Sequence, residues 1–112
     1  MGALTTHVLD IAHGRPAAGM KVRLYLGSAL LIETVTNADG RVAGALIQGE
    51  KFRVGNYRLE FLVGDYFAAA RHPDAKRFLD VVPVSFIVVD PEQNYHVPLL
   101  VSVWSYSTYR GS

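Results

Sequence analysis

Histidine is the residue type best suited to chemistry in this sequence, which contains four of them. His7 and His96 lie inside patterns that predict β-strands, whereas His13 and His72 stand beside a glycine and a proline, where turns or loops are expected. An imidazole titrates near neutral pH, so His7 or His96 could act as a general base or a general acid. Their pattern alone is also that of an ordinary strand histidine, and spacing by itself does not define a site.

Metal ligands and nucleophilic serines offer little alternative chemistry. The sequence has no cysteine, which excludes disulfides and thiolate metal ligands. Imidazole alone can bind zinc or copper, but no carboxylate stands at motif spacing from a pair of histidines. No serine occupies a Gly-x-Ser-x-Gly elbow. Acid–base chemistry by histidine is therefore the remaining hypothesis.

Two arginines complete the set of candidate residues. Arg41 directly follows the turn residues Asp39 and Gly40, and an exposed arginine is the ordinary interpretation there. Arg110 follows Tyr109 near the end of the sequence, and a charged side chain is an unusual choice for a core strand. Arginine on an edge strand also limits aggregation, so the residue type alone does not assign a function.

Short strands are the elements that would position these residues. Alternating or β-branched patterns predict strands over residues 4–11, 20–26, 30–36, 42–47, 57–63, 81–89, 95–103 and 106–109. The alternation places His7 on the same face as Leu9, and the last two strands form a terminal hairpin with an ordered last strand. Pro83 predicts that its strand lies at a sheet edge or carries a bulge, and Pro98 predicts a distortion beside His96.

One helix is predicted, over residues 65–71. Asp65 is a good N-cap, the alanines that follow favour helix, and Pro73 ends the segment. Residues 74–80 are polar and basic and predict a solvated loop. The whole pattern predicts an all-β fold, a two-sheet antiparallel β-sandwich of about seven to eight strands with one short helix.

Length and charge limit the class of protein. A chain of 112 residues predicts a single domain spanning residues 1–112. The net charge of +1 is too small for a dedicated nucleic-acid binder. No apolar run approaches the ~18 residues of a membrane span, so no membrane partner is expected. The first residues lack a basic flank before a long apolar segment, which favours a cytoplasmic location and leaves a periplasmic or peroxisomal precursor open.

Several stretches of the sequence, in order, resemble the transthyretin-related proteins, and more narrowly their hydroxyisourate hydrolase branch. The stretches are Leu-Thr-Thr-His-Val-Leu-Asp at 4–10, Gly-Arg-Pro-Ala at 14–17, Thr-Asn-Ala-Asp-Gly-Arg at 36–41, Asp-Tyr-Phe at 65–67 and Tyr-Ser-Thr-Tyr-Arg-Gly-Ser at 106–112. The match covers nearly the whole chain. The last four of these residues are the hallmark of that branch.

This resemblance implies a transthyretin-like (prealbumin-like) sandwich that assembles as a homotetramer, a dimer of dimers whose edge strands pair between subunits. It also implies active sites at the dimer–dimer interface. The family reaction is hydrolysis of the lactam ring of 5-hydroxyisourate to 2-oxo-4-hydroxy-4-carboxy-5-ureidoimidazoline during urate breakdown. That mechanism requires no metal or organic cofactor.

The resemblance also assigns the site residues. Catalytic positions correspond to His7, Arg41 and His96, and substrate-binding positions correspond to Tyr109, Arg110, Gly111 and Ser112. The two histidines would activate water and transfer protons, in an order that the sequence leaves open, while Arg41 would bind and polarise the substrate. Ser112 and its main chain would contribute hydrogen bonds at the base of the pocket.

Two other interpretations of the sequence remain. One is a non-enzymatic carrier of the transthyretin type, which has lysine, glutamate and threonine where this chain has His7, Arg41 and His96. The other is a generic β-sandwich adhesion or accessory domain, which predicts a monomer with no use for either histidine. The three hypotheses differ in whether the chain turns over a substrate and whether it assembles.

Overall fold

Two β-sheets pack face to face in the computed structural model, which describes residues 1–111 of the chain. The first sheet contains β1 (Ala3–Asp10), β2 (Arg15–Pro16), β5 (Ile47–Gln48), β8 (Tyr95–Val101) and β9 (Tyr106–Thr108). The second contains β3 (Lys21–Leu26), β4 (Ala29–Val35), β6 (Gly55–Leu62) and β7 (Val81–Val88). The chain also forms a 3-10 turn, Gly49–Lys51, and a short helix, α1 (Val63–Ala69). The predicted all-β sandwich is confirmed.

Strand β1 shows the alternation that the sequence predicts. Its inward residues are buried and its outward residues are half-buried, because successive strand side chains point to opposite faces. Leu4 and Val8 are fully buried in the core that the two sheets share. His7 lies on the outer face with Thr5 and Leu9, as the pattern predicts. The face that carries the candidate histidine is therefore not part of the core.

Strands β1 and β8 run parallel, which corrects the prediction of a wholly antiparallel sandwich. Their register runs without a shift from Leu4 opposite Tyr95 to Asp10 opposite Val101. Strands joined by a tight hairpin must be antiparallel, but β1 and β8 are far apart in sequence, so no turn fixes their direction. The other strand pairs are antiparallel in the part of the chain that the structure describes.

The predicted strand over residues 42–47 is wrong. Only Ile47–Gln48 of this segment forms a strand with β1, and the preceding residues form bends and irregular structure. Gly44 adopts a positive φ of 71°, which breaks an extended chain. Val42 and Leu46 are nevertheless buried, so the alternating pattern reflects core contacts of a loop and not a strand.

The predicted helix exists, but its start is wrong. Helix α1 spans Val63–Ala69 and follows β6 directly, so its N-cap position is Leu62, which makes no side-chain capping bond. Asp65 lies in the first turn instead, and its carboxylate pairs with the Lys76 ammonium group at 2.6 Å. The helix also ends before Pro73. No helix among residues 1–111 is long and apolar enough to cross a membrane.

The C-terminal hairpin is confirmed, with a shorter first strand than predicted. Strand β9 pairs with β8 from Leu99 opposite Thr108, and an isolated bridge between His96 and Gly111 continues the same register. Pro98 causes no shift in the register between β8 and β1. The predicted distortion is limited to the other side of β8, where continuous pairing with β9 stops at Leu99 and Thr108. The terminal segment is therefore held beside His96.

The edge position predicted from Pro83 is also confirmed. Strand β7 is the last strand of its sheet, paired only with β6 among the described strands. Proline lacks an N–H group, which an edge strand can accommodate because one side of it has no partner strand. Ile87 on this edge is 64% exposed, and Val89 just after it is 74% exposed.

Candidate active site

The parallel register of β1 and β8 brings both candidate histidines onto one surface. Thr5 lies opposite His96, and His7 lies opposite Pro98, so the two imidazoles are on neighbouring strands, two residues out of register. Residues that are opposite or two apart share a face of the sheet. Both histidines are half-buried on the outer face.

A tight turn delivers the guanidinium group of Arg41 to the same surface. Arg41 forms an isolated antiparallel bridge with His7. The side-chain oxygen of Asn37 accepts hydrogen bonds across this turn, including one from the Arg41 amide at 3.1 Å. Gly40 has a φ of 75°, and a Cβ at this position would collide with the Val8 carbonyl oxygen. The turn therefore requires glycine, and it fixes the backbone that carries Arg41.

The His7 ring is oriented by the same turn. Its Nε2 lies 2.9 Å from the carbonyl oxygen of Asp39. A carbonyl oxygen can only accept a hydrogen bond, so Nε2 must carry the hydrogen. In the neutral ring, Nδ1 is then the nitrogen with the free lone pair.

The His96 ring is held from two sides. Its Nδ1 lies 2.8 Å from the Thr5 hydroxyl oxygen. Below the ring, a Cβ placed on Gly111 would lie 2.7 Å from His96 Cδ2, so only glycine leaves room for the imidazole. The Gly111 amide also donates to the His96 carbonyl oxygen at 2.7 Å. Gly111 thus contacts one of the two candidate histidines.

Burial lowers the pKa of His96 below its ordinary value, and Coulombic interactions with Arg41 and His7 lower it further. Each of these causes disfavours the imidazolium form. His96 is therefore neutral at physiological pH and can accept a proton.

A cleft of about 450 Å³ opens beside Arg41 and His96. It is lined by Ala3, Thr5, Arg41, Asn94 and His96. This volume falls within the usual range of small-molecule sites, about 300–1,000 Å³. A small polar ring in the cleft would meet a guanidinium group and a neutral imidazole together.

Tyr109 and Arg110 lie apart from this cleft in the single chain. They line a separate, mostly apolar cavity of about 230 Å³ between β7 and the terminal segment. The Arg110 guanidinium stacks over the Tyr95 ring at 4.0 Å and donates to the Asn94 carbonyl oxygen at 3.1 Å. Ser112 lies outside the described residues. Among the three predicted substrate-binding residues that the structure describes, Gly111 is the one placed against a candidate histidine.

Sequence reasoning missed Thr5 and Asn94 as residues of the cleft. Asn94 accepts a hydrogen bond from the Ala3 amide at 3.1 Å, which ties the start of β1 to the start of β8. The alternation of β1 already placed Thr5 on the face of His7. Its contact with His96 depends on the register between two distant strands, which no local pattern encodes.

His13 and His72 belong to a structural cluster and not to the cleft. Asp10 is fully buried and accepts hydrogen bonds from the Tyr66 hydroxyl at 2.7 Å and from His13 Nδ1 at 2.6 Å. The His72 ring packs edge-on against His13, with centroids 5.6 Å apart. No group of three or more His, Cys, Asp or Glu residues within 1–111 is arranged to hold a metal ion.

A β-sandwich whose outer face carries two imidazoles and a guanidinium defines a protein suited to acid–base chemistry in an open cleft. Residues 4–111 match the HIUase/Transthyretin family, and the chain belongs to this family. It is 55% identical over 117 residues to the 5-hydroxyisourate hydrolase 2 of Rhizobium meliloti (strain 1021), covering 99% of this chain and 97% of that relative. The predicted family and transthyretin-like fold are confirmed.

Solved structures agree with this assignment. The structure of Klebsiella pneumoniae 5-hydroxyisourate hydrolase matches with a TM-score of 0.85 and 34% identity, covering 98% of this chain and 99% of that chain. A crystal structure of (S)-allantoin synthase matches with a TM-score of 0.93 and 45% identity, covering 99% of this chain. This chain spans 44% of the length of that synthase.

Proposed function

We propose that this chain hydrolyses 5-hydroxyisourate to 2-oxo-4-hydroxy-4-carboxy-5-ureidoimidazoline, a step in urate breakdown. The family and the name of the Rhizobium meliloti relative support this reaction. The observation that carries the proposal is the convergence of His7, Arg41 and His96 on one outer face. Hydrolysis of a ring lactam requires an activated water, a polarised carbonyl group and a proton for the leaving nitrogen, and these residue types supply all three.

In the proposed reaction, His96 is the general base. Neutral His96 takes a proton from water as the oxygen of that water attacks the ring carbonyl carbon. A positioned base of this kind contributes ~10² to 10⁴ in rate. Its lowered pKa keeps it neutral at physiological pH. The carbon–nitrogen bond of the tetrahedral adduct then breaks, and an imidazolium group returns the proton to the departing nitrogen.

Arg41 and His7 complete the proposed machinery. The guanidinium group of Arg41 binds the polar substrate and stabilises the charge that develops on the carbonyl oxygen. His7 is oriented by the Asp39 carbonyl oxygen and lies next to the Arg41 bridge, where it can share in the proton transfer. We assign Gly111 and Ser112 to the substrate pocket, with Gly111 supporting the His96 ring.

We further propose that the chain works as a homotetramer, a dimer of dimers in which the β7 and β9 edges pair between copies. Exposed apolar side chains on these edges support the arrangement, since Ile87 is 64% exposed and Tyr106 is 43% exposed. Unpaired apolar edges of this kind favour pairing with another strand. In the assembly, Tyr109 and Arg110 of one copy would contribute to a shared substrate site.

The test is direct measurement of substrate turnover. Urate oxidase generates 5-hydroxyisourate in the cuvette, and its ultraviolet absorbance reports ring opening. The proposal predicts that the chain accelerates decay of this absorbance well beyond the spontaneous rate. Spontaneous decay in the presence of the chain, together with tight binding of thyroid hormone, would instead support the carrier hypothesis.

A further inference from the structure

We infer that Thr5 is a positioning residue that keeps the hydrogen of neutral His96 on Nδ1 and so leaves Nε2 free to accept a proton from water. This inference rests on the proposed hydrolysis. The contact that carries it is the 2.8 Å distance between Thr5 Oγ1 and His96 Nδ1. A neutral imidazole has one N–H and one lone pair, and the partner of one nitrogen decides the role of the other.

A threonine hydroxyl can donate or accept, so the surroundings of His96 must select between the two tautomers. Arg41 and His96 line the same cleft, and Nδ1 is the nitrogen engaged by Thr5. A cation in the cleft repels an N–H that points toward it and attracts a lone pair. The arrangement therefore favours Nδ1–H donating to Thr5 and a lone pair on the nitrogen left free, Nε2.

The surrounding structure fixes the position of the His96 ring. The Thr5 hydroxyl therefore affects which ring nitrogen carries the hydrogen and does not have to hold the ring in place. Gly111 lies against His96 Cδ2, where even a methyl group would be too close. The parallel register holds Thr5 directly opposite His96. Threonine is branched at Cβ, which restricts its χ1 rotation and keeps its hydroxyl in place.

Thr5→Val tests this role because valine keeps the shape of threonine and removes the hydroxyl. Thr5→Ser restores a hydroxyl at the same position. Thr6→Val is a matched control on the neighbouring residue. Its hydroxyl faces the core and donates to the Val97 carbonyl oxygen at 2.7 Å, so this variant loses a strand hydroxyl without touching His96.

Nitrogen NMR of histidine-labelled protein reads the tautomer of His96, with His96→Gln used to assign its signals. We expect Nδ1–H in the wild type and in Thr6→Val, and a shift toward Nε2–H in Thr5→Val. In the absorbance assay, kcat of Thr5→Val should fall ~10- to 100-fold, the size seen when a metal-bound histidine loses the partner that orients its ring. Its KM should change within about two-fold, and Thr5→Ser should recover most of kcat.

Two results would overturn the role of Thr5. One is a wild-type His96 that carries its hydrogen on Nε2, and the other is a Thr5→Val variant with wild-type tautomer and wild-type kcat. The NMR measurement requires no turnover. If the wild type failed to open the ring, the proposed function would fall, while the spectra would still decide which nitrogen of His96 carries the hydrogen.

Discussion

At the scale of single residues, burial and the charge of Arg41 together disfavour protonation of His96. Burial is the largest cause that lowers the pKa of His96, and the Arg41 charge is the next. Only neutral His96 can accept a proton, so kcat/KM should rise with pH through a pKa below the ordinary imidazole value of about 6.5.

Arg41→Gln should move this acidic limb to higher pH, because it removes a positive charge that disfavours imidazolium. The limb should remain below the ordinary imidazole value, since burial persists. The maximal rate should also fall, because the substrate carbonyl oxygen loses the guanidinium group that stabilises its developing negative charge. A pH profile of kcat/KM for both proteins measures the shift. A limb that stayed in place or moved to lower pH would show that Arg41 does not act on His96.

Much of the candidate site could be predicted at this scale, and part of it could not. The strand alternation and the family motif indicate His7, Arg41 and His96. The Thr5–His96 contact follows from pairing between strands about ninety residues apart, which local patterns do not specify. The position of the Arg110 guanidinium over the Tyr95 ring is likewise a contact that local patterns do not specify.

At the scale of elements, the buried Asp10 joins β1 to the following turn and to helix α1. Burial by itself raises the pKa of Asp10, but hydrogen bonds from Tyr66 and His13 outweigh this effect and leave the pKa below its usual value. Burial and the Asp10 contact raise the pKa of Tyr66 to about 12, so its hydroxyl remains a donor at neutral pH. This network explains how a charged group is tolerated beneath the helix.

Tyr66→Phe should lower the free energy of unfolding by about 1–3 kcal/mol, because Asp10 stays buried and loses one of its donors. Chemical denaturation at neutral pH measures this loss. Tyr106→Phe is the control, since that tyrosine is 43% exposed on β9. Equal stability of Tyr66→Phe and the wild type would mean that the contact does not hold α1 in place.

The Asp10 carboxylate should also affect how the free energy of unfolding changes at acidic pH. A depressed folded-state pKa stabilises the protein above the unfolded pKa, and this stability is lost as pH falls through the folded value. Tyr66→Phe removes one of the hydrogen bonds that depress this pKa. The loss of stability that Asp10 causes on acidification should therefore be smaller in the variant, and it should be complete at a higher pH than in the wild type.

The elements that the sequence mispredicted share a physical cause. Apolar alternation marked residues 42–47 as a strand, but the positive φ at Gly44 turns the chain while Val42 and Leu46 still reach the core. Asp65 is a good capping residue, but α1 continues from β6 without a loop, so the cap position falls on Leu62. Tertiary packing overrode local preference at both places.

At the scale of the whole molecule, the proposed assembly depends on the exposed β7 edge. Ile87→Lys places a charge where a second copy would pack, so it should shift the tetramer toward smaller species in sedimentation. Leu31→Lys is the matched control on β4, the opposite edge of the same sheet, where the leucine is 41% exposed. A tetramer that survived Ile87→Lys unchanged would contradict pairing through β7.

The proposed hydrolysis depends most on the two imidazoles of the outer face, and one measurement tests them directly. It is the rate of 5-hydroxyisourate ring opening by His7→Ala and His96→Ala, with His72→Ala as a control outside the cleft. Loss of a positioned acid–base group should reduce the rate by ~10² to 10⁴ in the first two variants, with the sandwich still folded. The control should keep the wild-type rate. Near wild-type rates in both His7→Ala and His96→Ala would contradict the proposed catalytic role of the two histidines.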